Sequence, residues 1–451
     1  MRAAWLWSIG SWHVARKELL SLFVTPLAYL VGTLFLLNQG YNFALLLRVL
    51  NDPLAAPGPV MQFYFGGSFF LFWLPVIFIC AAVSMRLVAE ERRLGTLEAL
   101  LTAPLSASQI VAGKFVGAYL FYGALWLPTA AFYLLLAGAG ARPEAGPVLA
   151  GYVGVALVGA SFLAVGLLAS AIARSQLAAA VTTFVACTIA VMSGLLEGQV
   201  QSESAAALVR ATSLLTMMQE LAQGIFDPRW VYLHAALTGS LLLAAIVAVS
   251  PRRRVEHALQ VGLAAFTLAN VAAFAGRHAE RGDWTAGHVY SLSPRAAEVL
   301  AGLPAAVEVT VIVPTTIGGG RPNPLHAELR EVLTRMAAAA PGLRVRFVDP
   351  DRDHQEAATA ISEFALAGRE LADGVVLIRS GQGAALRKAH VLPGDLVTYA
   401  TGPDVQVTGP RVKEFRGEEA LLSKLLAVTD PRRVVVCATQ GHGEPALDSL
   451  E

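Results

Sequence analysis

Residues 88–114 read VAEERRLGTLEALLTAPLSASQIVAGK and separate two apolar runs, 63–83 and 115–136. Each run has about twenty residues, the length that spans a lipid bilayer, so a charged helix between them is expected at the membrane surface. Leucines at helical spacing predict an apolar face, and charged residues predict a solvated face. The leucines are Leu94, Leu97, Leu100 and Leu101, and the charged residues are Glu90, Glu91, Arg92, Arg93 and Glu98. We predict an amphipathic helix that ends at Pro104 and contacts a soluble partner, or that merely anchors a membrane loop.

The composition separates the chain into two physically different parts. Of the 451 residues, 55% are hydrophobic and 15% are charged, against about 25% charged in soluble proteins. The apolar excess fills the first 275 residues and then falls away. The net charge of +1 gives no indication of nucleic acid binding. Cys80, Cys187 and Cys437 are far apart in sequence and are interpreted as small buried hydrophobic residues, not as a disulfide framework or a metal site.

Seven apolar runs predict a polytopic α-helical membrane domain. The runs are 19–37, 63–83, 115–136, 148–172, 177–196, 231–249 and 258–275. They place six spans in a domain at 1–250, a seventh transmembrane helix at 251–276, and a further domain at 277–451. The basic residues before the first run predict an uncleaved amphipathic helix, not a signal peptide.

The distribution of arginine and lysine predicts the orientation of these spans. One side carries Arg2, Arg16, Lys17, Arg86, Arg92, Arg93, Lys114, Arg174, Arg252, Arg253 and Arg254, and the other carries Arg48, Arg142, Arg210 and Arg229. The richer side is predicted to be cytoplasmic, and an odd number of spans places the C-terminal domain outside the cytoplasm. The seventh run is short and contains Asn270; if it does not span, that domain is cytoplasmic.

The C-terminal part alternates short strand-like and helical stretches, which predicts an α/β domain. Strands are predicted at 307–313, 343–348, 375–378, 390–392 and 434–438, and helices at 325–339, 357–366 and 418–428. Because the sequence stops where another helix would begin, the domain is expected to be incomplete. Asp349, Asp351, His442 and Glu444 follow predicted strands, where α/β folds place binding sites, but a structural turn is the default interpretation of each pair.

Motifs for catalysis are not found in the sequence. It contains no G-x-x-x-x-G-K-[ST] motif, so ATP is expected to be bound by a separate subunit, and no cofactor is predicted for this chain. No nucleophile and base are suitably spaced near His442, and no metal site is predicted. The chain is therefore predicted not to be an enzyme.

Two resemblances sharpen these expectations. The first 250 residues resemble ABC-2 type permeases of the branch associated with gliding motility and nitrous-oxide-reductase maturation. The residues that carry it are Lys17, Glu18, Leu19, Phe23, Pro26, Leu27, Ala28 and Tyr29, then Glu90, Glu91, Arg92, Gly95, Thr96, Leu97, Glu98, Leu101, Ala103 and Pro104. The resemblance implies that the second set, from Glu90 to Leu101, couples the permease to a separate ATP-binding subunit. It also implies a dimer or paired permease in the bacterial inner membrane.

The part after Arg252 resembles the auxiliary component of the same gliding-type transporters. The matching positions are Tyr290, Ser291, Leu292, Ser293, the Val307 strand, Asp349, Pro350, Asp351, Phe415, Gly417, Glu418, Gly441, His442, Gly443 and Glu444. The chain thus resembles a fusion of permease and auxiliary subunit that exports, moves or matures surface components. Two alternatives are a membrane-anchored extracytoplasmic module that binds glycan or protein, and an enzyme with an amidotransferase-like outline.

Overall fold

The computed structural model describes two compact units, Met1–Tyr290 and Ser291–Glu451. The residues described are 2–51, 61–138, 140, 144–196, 209, 212–250, 262, 265, 267, 269, 282–285, 291–303, 307–317, 321–340, 342–364, 366, 374–381, 386–399 and 412–429. His442, Glu444, Cys437 and the strand predicted at 434–438 lie outside this part of the chain.

The first unit is helical. Its helices are α1 (Arg2–Val24), α2 (Pro26–Asn51), α3 (Met61–Tyr64), α4 (Leu74–Ser84), α5 (Ala89–Arg93), α6 (Thr96–Thr102), α7 (Ala107–Trp126), α8 (Ala130–Gly138), α9 (Ala145–Ile172), α10 (Gln176–Met192), α11 (Leu214–Gln223) and α12 (Pro228–Val249). A π-helical turn, Phe69–Trp73, precedes α4, and a 3₁₀ turn, Leu127–Thr129, joins α7 to α8. Pro128 in that turn lacks a backbone N–H and so interrupts the α-helical ladder.

Among the described residues, six helical segments are long and apolar enough to cross a membrane, which confirms the six predicted permease spans. They are Ala28–Arg48, Phe69–Arg93, Ala107–Gly138, Ala145–Ile172, Gln176–Leu196 and Pro228–Val249. The predicted first run, 19–37, has the wrong boundaries because the helix breaks at Thr25, before Pro26. α1 is therefore a separate helix, as predicted for the N-terminus, and the span begins in α2. The predicted seventh span at 258–275 falls almost entirely outside the described residues.

α9 lies at the centre of this unit. Its residues Val158, Leu163 and Leu167 are fully buried, and it packs against α4, α7, α10, α11 and α12. At Gly159 a β-carbon would overlap the ring of Tyr122 on α7, so only glycine allows this close packing. The Tyr122 hydroxyl donates to the Val155 carbonyl at 3.2 Å, which joins the two helices near the middle of α9.

A short two-stranded ladder lies beside the N-terminus of α12. Strand β1 (Ile225–Phe226), just before α12, pairs antiparallel with β2 (Gly282–Asp283). The Trp284 ring stacks on Phe226 with centroids 4.5 Å apart, and the Trp284 backbone N–H donates to the Gly224 carbonyl. Residues 282–285 are thereby fixed at the end of the unit where α12 begins.

The second unit is an α/β domain, as predicted. Its strands are β3 (Val307–Ile312), β4 (Thr316–Ile317), β5 (Arg321–Pro322), β6 (Leu343–Val348), β7 (Val375–Ser380), β8 (Arg387–Val391), β9 (Val397–Tyr399) and β10 (Val412–Phe415). Its helices are α13 (Pro294–Ala301), α14 (Pro324–Ala339), α15 (His354–Glu363), α16 (Pro393–Leu396) and α17 (Gly417–Thr429). The main sheet has the order β6-β3-β7-β8, with β3 parallel to β6 and antiparallel to β7.

Apolar residues cover both faces of this sheet. Val307, Val309 and Val311 point to one face and pack with residues of α13, α14 and α17. Ile312 and Leu377 pack on the opposite side with Ala357 of α15. Because side chains alternate between the two faces of a strand, the valines predicted at every second position of β3 all point into the larger core.

Candidate coupling site

The charged segment folds as two short helices, α5 and α6, which we call the coupling element (Ala89–Thr102). Gly95 separates the helices and has φ = 72°, a left-handed conformation that costs a residue with a β-carbon about 1–2 kcal/mol. The Leu94 N–H donates to the Glu90 carbonyl at 2.9 Å, closing α5 before the turn. The prediction of a single continuous helix was wrong, but the predicted end before Pro104 is confirmed, because α6 ends at Thr102.

The leucines of the coupling element do not share one buried face. Leu97 is buried and packs into the main core, and Leu101 is partly buried against it. Leu94, directly before the turn at Gly95, is 61% exposed. Arg92, Arg93 and Glu98 are also exposed. The outer surface thus combines an apolar side chain with charges of both signs.

Ser170 of α9 joins the start of the coupling element to the centre of the unit. Its Oγ accepts hydrogen bonds from the backbone N–H groups of Val88 and Ala89, each at 3.0 Å, and donates to the Met85 carbonyl at 3.2 Å. These bonds satisfy two N–H groups at the start of α5, where a helix has no internal partners for them. The Arg92 Nη1 donates to the Ala173 carbonyl at the end of α9. Both contacts tie α5 to the C-terminal end of α9.

Arg86 connects the coupling element to the junction between α1 and α2. Its Nε lies 2.9 Å from Glu90 Oε2, and its Nη1 donates to Thr25 Oγ1 at 3.1 Å. Thr25 stands at the break before Pro26. Glu90, predicted to be fully solvated, is partly buried and engaged by Arg86 instead.

A buried ion cluster lies on the inner side of the coupling element. Lys114 of α7 is 1% exposed, and its Nζ lies 2.8 Å from Glu91 Oε1 on α5 and 3.1 Å from Glu18 Oε2 on α1. Lys17, largely exposed, approaches Glu91 at 3.9 Å. The expectation that Glu91 is solvated was wrong, because its side chain is only 15% exposed.

Sequence reasoning did not pair Lys114 with Glu18, although one signal was available. A lysine inside an otherwise apolar stretch of α7 needs a carboxylate partner if it is buried. The sequence contains several acidic residues near the predicted membrane surface, and only the fold selects Glu18 and Glu91 among them.

The second predicted set of site residues lies at the carboxyl ends of β3 and β6. Asp349 Oδ2 accepts from the Thr315 hydroxyl at 2.6 Å, and Asp349 Oδ1 accepts from the Asp351 N–H at 3.0 Å. Burial raises the pKa of Asp349, but these bonds and the charge of Arg352 outweigh it, so the pKa lies below its ordinary value. Asp351 is exposed. This geometry is that of a turn between β6 and α15 that is tied to the segment after the neighbouring strand β3. His442 and Glu444 lie outside the described residues.

Within the part of the chain that the structure describes, no group of three or more His, Cys, Asp or Glu side chains is arranged to hold a metal ion. Cys80 and Cys187 are free and buried. Neither cysteine belongs to the coupling element or to the turn at Asp349.

Comparison with known families agrees with the architecture of the first unit. Residues 51–247 match the family model described as ABC-2 family transporter protein, and residues 286–394 match a domain of unknown function, DUF7088. No curated protein matches the chain. The first match contains the entire coupling element, Ser170 and Lys114. The chain thus contains a region similar to the ABC-2 transporter membrane domain, followed by a region similar to DUF7088, which supports a permease subunit in a lipid bilayer.

Proposed function

We propose that this chain is the membrane subunit of an ATP-driven ABC-2 transporter and that its ATP-binding subunit docks on the coupling element. The observation that carries the proposal is the form of α5 and α6. The inner side of α5 is bonded to α1, α7 and α9, and Leu97 of α6 packs into the core, whereas the outer side presents Leu94 among exposed charges. A motion imposed on that outer side would reach several membrane helices at once.

Leu94→Asp tests the docking surface. An affinity-tagged full-length chain and its variants are purified from the native host, and the retained ATP-binding subunit is quantified by mass spectrometry. We expect Leu94→Asp to reduce retention at least tenfold while leaving the yield of folded chain unchanged, because Leu94 is exposed. Leu386→Asp, at another exposed leucine in the second unit, is the matched control and should retain the subunit.

Leu97→Asp is not suitable for the same purpose, because Leu97 is buried and a carboxylate there would destabilise the fold. Retention of the ATP-binding subunit by Leu94→Asp at the level of the unsubstituted chain would contradict docking at this surface. A full-length chain that retains no ATP-binding subunit would favour the alternative of an anchored glycan- or protein-binding module.

We further propose that the second unit is extracytoplasmic, as the distribution of arginine and lysine and an odd number of spans predict. Along α9, within the first unit, Ser170 contacts α5, and Gly146 contacts Trp284. At 1.5 Å per residue these contacts are about 36 Å apart, more than the roughly 30 Å of a bilayer's hydrocarbon core. A cytoplasmic coupling element therefore puts Trp284 on the extracytoplasmic side, which supports this topology.

The gliding-type resemblance supports a finer proposal, that the complex exports or moves surface components and contains two permease copies. The polar pairs at Asp349 and Asp351, and at His442 and Glu444, are the proposed contacts of the second unit with an extracytoplasmic protein or glycan. Loss of a surface component after deletion of the gene, restored by the full chain but not by Leu94→Asp, would support the transport role over simple anchoring.

A further inference from the structure

The ion cluster of Lys114, Glu18 and Glu91 joins three helices that are distant in sequence. The Lys114 ammonium is shielded from solvent, while the two carboxylates belong to α1 and α5. Within 4 Å the ammonium has two carboxylate partners, and Lys17 adds a second positive charge at the edge of the cluster. The charges are thus nearly balanced only while α1, α5 and α7 remain together.

The energetics of a buried ion cluster limit the motions of these helices. Removing one partner from a buried pair strands the other charge in a low-dielectric environment, which is strongly unfavourable. A displacement of α5 away from α7 would have the same effect on Lys114. Lys114 therefore resists any sliding of the coupling element against α7.

Close backbone packing makes α1 part of the same body. At Gly113 and Gly117 of α7, a β-carbon would collide with the carbonyls of Ser11 and Ala15 on α1. These two glycines flank Lys114 on the same side of the helix, so α1 and α7 meet without intervening side chains. Glu18 lies one turn further along α1 and reaches the ammonium from there.

We propose that Lys114 is the positioning residue that transmits movement of the coupling element to α7 and α1. This inference rests on the proposed function, because it assumes that an ATP-binding subunit moves α5 and α6. The hydrogen bonds from Val88 and Ala89 to Ser170 form a separate link, to α9. The ion cluster carries the larger part of the coupling, because neutral hydrogen bonds are individually weaker than charge-assisted ones.

The first experiment measures coupling in the complex. The full-length chain is reconstituted in lipid nanodiscs with the ATP-binding subunit that co-purifies with it, and kcat and KM for ATP are compared with those of the ATP-binding subunit alone. We expect Lys114→Met to bind the ATP-binding subunit with an affinity within twofold of that of the unsubstituted chain and to leave KM unchanged. The stimulation of kcat should fall at least fivefold. Lys114→Arg, which preserves the charge, should keep most of the stimulation. Ser170→Ala is the control for the link to α9 and should reduce the stimulation of kcat less than twofold.

A neutral triple variant separates transmission from folding. Lys114→Met combined with Glu18→Gln and Glu91→Gln leaves no stranded charge, so it should fold even where the single variant does not. We expect the triple variant to bind the ATP-binding subunit and still lack stimulation. Full stimulation by the triple variant, or by a folded Lys114→Met single variant, would overturn the proposal.

The second experiment does not require the partner. Hydrogen exchange of the α5 amides is measured in the isolated full-length chain in nanodiscs. We expect at least tenfold faster exchange of residues 89–93 in Lys114→Met, and near-normal exchange in Lys114→Arg. Unchanged exchange in Lys114→Met would refute the link itself, whereas failure of the unsubstituted chain to bind any ATP-binding subunit would refute only the proposed function.

Discussion

Gly146, in the first turn of α9, lies directly against the backbone of Trp284, and a β-carbon at position 146 would overlap the Trp284 carbonyl oxygen. Trp284 is held there on its other side by Phe226 and by the Gly224 carbonyl. This contact fixes the residues just before the second unit at the end of α9 that is remote from the coupling element.

Gly146→Ala should therefore displace residues 282–285 from the end of α9. The displacement is measurable as disulfide formation between cysteines placed at Ile225 and Asp283, which are paired in the β1–β2 ladder. Paired strand positions lie within the span of a disulfide, so rapid oxidation is expected with glycine at position 146. We expect Gly146→Ala to slow oxidation at least tenfold. Gly123→Ala, where a β-carbon meets nothing within 4 Å, is the control and should oxidise normally.

The membrane topology of the chain can be tested with reporters. A reporter fused after Ser293 should behave as extracytoplasmic, and a reporter fused at Thr102 should behave as cytoplasmic. Alkaline phosphatase and green fluorescent protein provide complementary readouts, because the first is active outside and the second is fluorescent inside. The same compartment for both fusions would contradict an extracytoplasmic second unit and would mean that the seventh predicted run does not span the membrane.

The turn at Gly95 makes a prediction about stability. Gly95→Ala should lower the free energy of unfolding by about 1–2 kcal/mol, because alanine disfavours the left-handed conformation. The space around position 95 is open, so the loss reflects backbone strain and not a collision. Gly95→Asn should cost less, since asparagine adopts this conformation more readily. Unfolding in mixed micelles with increasing SDS measures both variants, and equal stability of alanine and glycine at this position would contradict the strained turn.

Asp349 predicts how the second unit responds to acid. Because its folded pKa lies below the ordinary value, the native state binds fewer protons than the unfolded state. The resulting stabilisation is present above the ordinary value of about 3.9 and is lost as pH falls through the lowered folded pKa. Asp349→Asn should therefore be less stable at neutral pH and less sensitive to acid below about pH 4.

Urea unfolding of the full chain at several pH values tests this expectation. Residues 291–451 contain no tryptophan, so Phe364→Trp adds a fluorescence reporter to the second unit. The signal of this reporter is the fluorescence of the chain with Phe364→Trp minus that of the same chain without it. Thr315→Val, which removes one hydrogen bond to Asp349, should give an intermediate acid response. Parallel pH profiles for the unsubstituted chain and the Asp349→Asn variant would show that this carboxylate does not contribute.

Much of the architecture could be predicted from local patterns. Apolar runs gave the six spans because hydrophobic length is a local property, and the valines of β3 gave a buried strand because side chains alternate between faces. The segment from Glu90 to Leu101 was predicted as the surface element between two spans from its charge alone. The predicted end of its helix before Pro104 was correct for an equally local reason, because proline cannot continue a helix.

The tertiary structure decided which of those residues are buried and what they contact. A glycine within a helical pattern is compatible with a continuous helix, so only the packing of Leu97 and the bonds to Ser170 reveal the turn at Gly95. The sequence identified Glu91 and Lys114 as charged, but their solvation depends on α1 and α7 meeting at Gly113 and Gly117. The free energy of a buried charge is set by neighbours that lie far away in the chain, and those neighbours exist only in the folded protein.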